Sequence, residues 1–346
     1  FWPCQEAFSS TQTSLSRTMA FVAGQLVELH SLDSDLNGVQ AQLIRYDRTA
    51  KKWIAATFHG KIITVEEMYL QSIPGMDVDL VMGPRSDSVI AGTTLSESLL
   101  SKGFATVKLL ASADDAAGML ETAKRLDATG KLQRLPMNFE RGYLGLDSRA
   151  KACEISMDDE DLPEFVKASP LKAVEENFEI LGEMLSQSRE SLGFEIYSRT
   201  GLLMRMPLTA QEESRYPAEE VGDDDAQDFL KLMYRKRITA MHFVGPAAGT
   251  VKLFPSPEMR ATTSEMEIAV EPHTMILFLS KSWEVSYESF GQSLTLQTFF
   301  LEEPLELNIL EAEADPESRP AIPGILPPER QFSVVGAYCR YGMNSQ

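Results

Sequence analysis

The chain predicts an α+β protein: a small all-β module first, then a larger domain whose helices precede and pack against an antiparallel β core. Three observations carry this. Residues 21–73 alternate apolar and polar side chains in short runs broken by turn residues. Residues 94–188 show helical periodicity with capping and stop signals. From Phe194 onward the apolar pattern shifts to that of strands.

Composition bounds the function. At 346 residues and 43% hydrophobic content the chain can bury the cores of two domains. The net charge of -19, from 51 acidic against 32 basic residues, argues against nucleic acid or an anionic bilayer as partner, since both need a positive surface. Cys4, Cys153 and Cys339 are odd in number and far apart, which builds no disulfide framework and predicts a reducing, intracellular compartment, with cytoplasm and plastid both open. No apolar run reaches the length of a membrane span. Residues 1–20 lack a charged-then-apolar signal layout and are expected to be a disordered leader ahead of a start near Met19.

In chain order, residues 21–73 read as four or five short strands separated at Leu36-Asn37-Gly38, Asp47-Arg48 and His59-Gly60. The Gly24-x-x-Val27 start, the Leu-Asn-Gly turn, the Tyr46-Asp47 pair and Trp53 resemble the small Src-homology-like or Tudor-like barrels. That resemblance implies peptide or domain binding through exposed aromatics, here Tyr46, Trp53 and Phe58, at least two of which are expected to fill the barrel core instead. His30 and His59 read as surface or turn residues. Residues 74–93, rich in Pro and Gly punctuation, are expected to be a linker.

The larger domain opens with a short helix, a strand at Phe104–Leu110, and a helix capped by Ser112 and stopped at Gly130. A further helix is predicted near 171–188, where Val174, Phe178, Leu181 and Leu185 share a face. NFERGYLG at 138–145 reads as a structural loop laid over the barrel mouth, and the methionines near strands, among them Met204, Met206, Met233 and Met241, as core filling. The phrases RKRITAMHFVGPAAGTVKLFP, MEIAVEPHTMILFLS and WEVSYESFGQSLTLQTFF resemble the double-stranded β-helix of prolyl-hydroxylase-like, 2-oxoglutarate and iron dependent oxygenases, over residues 94–302.

That resemblance implies Fe(II) held by two histidines and a carboxylate, the first pair spaced His-x-Asp or His-x-Glu. None of the four histidines opens such a pair. Where the first motif belongs the chain reads SRYPAEEVGDDDAQDF, and where the second histidine belongs it reads LSKSWEVSYESFG. The strand after that, SLTLQTFF, lacks the Arg or Lys expected to meet the cosubstrate carboxylate. The expectation is a retained fold without its metal, with no catalytic residue and no cofactor; Fe(II) and 2-oxoglutarate belong to the alternative, a dioxygenase acting on a protein or acyl chain. His242, Glu220 and His273 are the weak metal candidates, His242 being expected as a satisfied strand histidine and His273 as a turn residue. The acidic run Glu219, Glu220 and Asp223–Asp225 is expected as a solvated loop.

Residues 303–331 are acidic and proline-rich, which predicts an extended linker. Beyond it, Val334, Val335, Gly336, Cys339, Arg340 and Tyr341 resemble the opening strand of β-ketoacyl synthase domains, so 332–346 is expected to be a truncated ketosynthase start with an inert Cys339. Barrel, oxygenase-like domain, linker and ketosynthase start together resemble the N-terminal region of the polyketide synthases of dinoflagellates. The resemblance implies an accessory or scaffolding role beside a downstream ketosynthase domain in the same chain, with other proteins as candidate partners of the small barrel. A pure interaction adaptor is the remaining alternative.

Overall fold

The computed structural model describes residues 21–32, 36–57, 61–72, 78–83, 86, 88–110, 112–215 and 221–304. The chain divides into two compact units, Phe1–Gly75 and Met76–Gln346.

The first unit is a five-stranded antiparallel sheet. Its strands are β1 (Leu26–Leu29), β2 (Gln40–Asp47), β3 (Lys52–Thr57), β4 (Ile62–Val65) and β5 (Leu70–Ser72), in the order β4-β3-β2-β1-β5. A single 3-10 turn, Glu67–Tyr69, leads into β5. Alternation explains the layout: Val27, Leu29, Ala41, Leu43, Trp53 and Ala55 form one buried cluster, while Glu28, Gln42, Ile44 and Ile54 between them are half-buried or exposed. An irregularity between Leu43 and Arg45 bends β2, which helps the small sheet curl.

The second unit begins with β6 (Leu80–Met82), α1 (Ser88–Lys102), β7 (Phe104–Leu109), α2 (Ala113–Ala128), β8 (Gln133–Arg134), α3 (Met137–Leu144) and β9 (Lys151–Ile155). Then come α4 (Glu164–Lys167), α5 (Leu171–Ser186), α6 (Arg189–Leu192), β10 (Ser198–Arg199), β11 (Leu202–Met206), α7 (Ala210–Glu213) and α8 (Asp223–Arg235). The chain closes its described part with β12 (Lys236–Pro246), β13 (Gly249–Pro255), β14 (Met266–Val270), β15 (Thr274–Leu279), β16 (Trp283–Ser289) and β17 (Ser293–Leu301).

Two sheets result. The large one runs β6-β7-β15-β12-β17-β11-β9-β8, with β10 also paired to β17; the small one runs β14-β13-β16. From β12 the chain alternates between them: large, small for β13 and β14, large for β15, small for β16, large for β17. This is a double-stranded β-helix, with helices covering the outer face of the large sheet.

Both faces of the large sheet are buried, so β12, β15 and β17 are covered along nearly their whole length, β15 almost wholly apolar and β17 carrying Ser293, Thr295, Gln297 and Thr298 among its apolar residues. Ala240, Val244, Leu294, Leu296, Met204 and Leu277 pack under the helices with Leu95, Leu99, Phe178 and Leu181. The alternate residues Met241, Phe243, Ile276 and Phe278 face Val251, Leu253, Trp283 and Val285 of the small sheet and form the bore.

Three expectations need correction. Residues 74–93 are not all linker: Leu80–Met82 adds a parallel edge strand to β7, held by Asp79, and α1 starts at Ser88. A three-residue strand carries no periodicity to read, and Gly92 sits inside α1 because its missing Cβ admits the Met184 backbone of α5. The acidic run is not a loop at Asp223–Asp225: it is the first turn of α8, where three carboxylates sit at the positive end of the helix dipole. NFERGYLG lies across the bore as expected, but as helix α3 rather than as a loop.

Candidate functional site

The bore is the natural place for chemistry in this architecture, and its lining follows from strand parity. On β17, Leu294, Leu296 and Phe300 belong to the helix side, which turns Ser293, Thr295, Gln297 and Phe299 inward. On β11, Met204 and Met206 go to the helix side and Arg205 turns inward. Register places Arg205 beside Thr295, and Thr295 beside Phe243 of β12. From β16, the Tyr287 ring lies 4.8 Å from Phe243 and 5.6 Å from the Arg205 guanidinium carbon.

Arg205 is 3% exposed. One of its nitrogens, Nη1, donates to Leu144 O and to Gln297 Oε1, both at 3.2 Å. No carboxylate pairs with it among the described residues, and burial lowers its pKa to about 10 despite the neighbouring Tyr287. Two buried hydroxyls of the same bore, Tyr287 Oη and Ser293 Oγ, have no hydrogen-bond partner among the described residues.

The compensation comes from α3. Helices end with carbonyls that lack intrahelical partners, at the negative end of the dipole. Here Lys236 Nζ donates to Gly142 O at 3.0 Å, Gln297 Nε2 to Tyr143 O at 2.7 Å, and Arg205 to Leu144 O. The half-buried Lys236 also lies 4.5 Å over the Phe299 ring, and burial brings its pKa down to about 8. Past the helix, Leu146 N donates to Val285 O at 2.6 Å and Tyr287 N donates to Ser148 Oγ at 3.1 Å, so residues 146–148 line the edge of β16. Two glycines permit the approach. A Cβ on Gly145, whose φ is +99°, would overlap Val285 O, and one on Gly142 would meet the Phe229 ring and Met233 sulfur of α8.

The sequence-derived candidates fall elsewhere. His242, on β12, points to the helix layer, 3% exposed, and its ring centroid lies 6.3 Å from that of His273. Burial lowers its pKa to about 3, with His273 and Lys108 adding to the effect. The expected satisfied histidine is corrected here: neither ring nitrogen of His242 has a hydrogen-bond partner among the described residues. His273 adopts a φ of +63° and bonds through its backbone to Phe243 O and Leu109 N. Glu220, Phe58 and 332–346, which include Val334, Val335, Gly336, Cys339, Arg340 and Tyr341, lie outside the described residues. In the first unit Trp53 is 3% exposed within the core, with Tyr46 packed edge-on at 5.4 Å.

The bore residues do not fit the iron centre that the oxygenase resemblance implies. Such a centre needs two imidazoles, yet the inward positions of β16 are Trp283, Val285 and Tyr287, and both histidines of the unit stand on the other side of the large sheet. The undescribed stretch 216–220 is Tyr-Pro-Ala-Glu-Glu and has no imidazole to add. Among the described residues no group of three or more His, Cys, Asp or Glu could hold a metal ion. No helix of the described residues is long and apolar enough to cross a membrane.

No protein-family model and no curated protein matches the chain. The solved structures similar to it include several oxygenases. A prolyl hydroxylase from Trichoplax adhaerens, in complex with a peptide fragment of the hypoxia inducible factor oxygen degradation domain, gives a TM-score of 0.43 at 12% identity, covering 62% of this chain and 90% of that one. A prolyl-4-hydroxylase from Pseudomonas putida gives 0.42 at 15% identity over 61% and 99% of the two chains. An oxidoreductase of the 2OG-Fe(II) oxygenase family from Burkholderia pseudomallei gives 0.36 at 11% identity over 65% and 97%. The double-stranded β-helix itself rests on the strand order above.

Arg205 and the α3 end were missed by sequence reasoning. A signal existed for the first: LLMRM places one arginine in a strand of otherwise apolar residues, where a surface position would show alternation.

Proposed function

We propose that the second unit is a non-catalytic double-stranded β-helix, serving as scaffold in an accessory region of a larger condensing-enzyme protein. The observation that supports the non-catalytic half is the filling of the bore. Its mouth is taken by the unit's own α3 end and residues 146–148, and its inward positions present Trp283, Tyr287 and Arg205 rather than imidazoles. A fold can outlast its chemistry, and function is argued from the site. The condensing-enzyme half rests on the likeness of Val334 to Tyr341 to a ketosynthase start and on the acidic, proline-rich stretch before it. In this reading the downstream ketosynthase is the partner in the same chain, and the small barrel contacts other proteins.

Two experiments test the halves separately. Purified chain with Fe(II), 2-oxoglutarate, ascorbate and oxygen should form no succinate above the iron-only background, and His242→Ala should behave as the parent. Enzyme-dependent succinate lost in His242→Ala would overturn the non-catalytic reading. Deleting residues 331–346 should leave the unfolding midpoint of the second unit unchanged and reduce self-association; a clear loss of thermal stability would remove the ketosynthase-start reading.

A further inference from the structure

We propose that Lys236 is a carbonyl-binding amine, whose Nζ takes a small aldehyde as an imine beside the end of α3. An irregularity in β12 sets the side chain there. Strict alternation from Ala240 and Ile238 would send Lys236 to the helix side, but the register shift between Lys236 and Ile238 puts it opposite Leu301, on the face that carries Phe299. Its Nζ donates to Gly142 O at 3.0 Å and lies 4.5 Å over the Phe299 ring. Among the described residues Lys236 forms no ion pair, and it is half-buried rather than sealed.

The charges around it favour the neutral amine. Burial, and then the Lys281 ammonium, which Met233 O and Tyr234 O hold at the end of α8, bring the Lys236 pKa down to about 8. Glu284 of β16 acts the other way, but it is itself held by Arg141 of α3 at 2.7 Å. On β12, Arg237 is paired with the Glu302 carboxylate and Arg235 donates to Glu302 O. The α8 side chains that face Gly142, Phe229 and Met233, are uncharged, and burial pushes the Tyr143 phenol of α3 above its usual value. A lysine desolvated beside a second cation is a nucleophile near neutral pH. The neutral Nζ attacks the aldehyde carbon, the C–N bond forms, and the carbonyl oxygen leaves as water; the imine then exchanges one proton with solvent. Its iminium form keeps both contacts of the ammonium, one N–H for Gly142 O and a positive charge over Phe299, whereas an acylated lysine would lose the charge. An aldehyde is therefore the ligand class that the surroundings fit. This inference goes beyond the scaffold reading, uses no iron, and can fail while that reading stands.

The test treats the folded full chain with propanal, traps imines with sodium cyanoborohydride, and follows each lysine by peptide mass spectrometry between pH 7 and pH 10. At pH 7 Lys236 should be labelled at least about tenfold faster than the exposed Lys124 and Lys172, because a larger share of its amine is neutral. The ratio should shrink toward pH 10, where ordinary lysine amines lose their protons as well. Lys281→Gln removes the neighbouring cation, raises the Lys236 pKa, and should lower the ratio at pH 7 severalfold. The parent chain decides the matter alone if that variant does not fold. A ratio at pH 7 below about tenfold, or one that does not change between pH 7 and pH 10, would overturn the assignment.

Discussion

Replacing Gly145 by alanine should unseat the α3 end and cost the second unit far more stability than the same change at another glycine of positive φ with open surroundings. Gly145 has a φ of +99° and a ψ of -176°, a region open essentially to glycine alone, and holding another residue there costs about 1 to 3 kcal/mol. The added Cβ also overlaps Val285 O, so the segment must move off β16. That forfeits the Leu146 to Val285 and Tyr287 to Ser148 hydrogen bonds, at about 1 kcal/mol each. Taking the Leu144 acceptor away from the buried Arg205 adds about 1 to 3 kcal/mol. The sum is roughly 4 to 8 kcal/mol, or a fall in Tm of roughly 10 to 25 °C for a unit of this size. Gly130 is the control: its φ is +75° with nothing within 4 Å of the place an added methyl would take, so Gly130→Ala should cost only the backbone share, about 1 to 2 kcal/mol. The assay is thermal and urea unfolding of the full chain followed by tryptophan fluorescence. If Gly145→Ala costs no more than Gly130→Ala, the α3 end is not held in the way described.

His242→Leu should reduce the acid sensitivity of the second unit. The folded pKa of about 3 lies below the ordinary imidazole value of 6.5, so the unfolded chain takes up the proton first and stability is lost as pH falls below 6.5; the loss approaches about 1.4 kcal/mol per pH unit, and unfolding midpoints from pH 7 to 4 should show a shallower decline in the variant. Asp79→Asn should loosen β6 from β7. Burial raises the Asp79 pKa, but the Lys102 ammonium and the Thr106 backbone and hydroxyl donors outweigh it and hold the carboxyl below its usual value, so its contribution is present above pH 4 and fades as pH falls through the lowered value. Exchange at the β6 amides should rise in the variant at pH 7, and remain unchanged if Asp79 is only a surface carboxylate.

The strands of the bore were legible because each is long enough to show its pattern, and a run buried on both faces, such as that from Ile238 to Val244, is mostly apolar, broken by Thr239 and His242. Helices α2 and α5 announced themselves through Ser112, whose side chain accepts from Asp114 N, and through the stripe of Val174, Phe178, Leu181 and Leu185. Helix α8 hid behind its own first turn, since three consecutive aspartates read as a solvated loop until the dipole that welcomes them is placed. The site was the least legible part. The end of α3 meets Arg205, Lys236 and Gln297 across separations of 61, 94 and 154 residues, and nothing local in NFERGYLG records which cations its carbonyls face. Its two glycines were visible, and read as loop punctuation; they serve close approach to α8 and β16.

The central claim is that this double-stranded β-helix keeps its sheets while its bore is closed by its own chain and lacks the imidazoles of an iron centre. An anaerobic titration of the purified full chain with Fe(II) in the presence of 2-oxoglutarate, followed by absorption spectroscopy, tests it most directly. The account predicts no metal-to-ligand charge-transfer band and no saturation at one equivalent of iron. A band that saturates at one equivalent would contradict it.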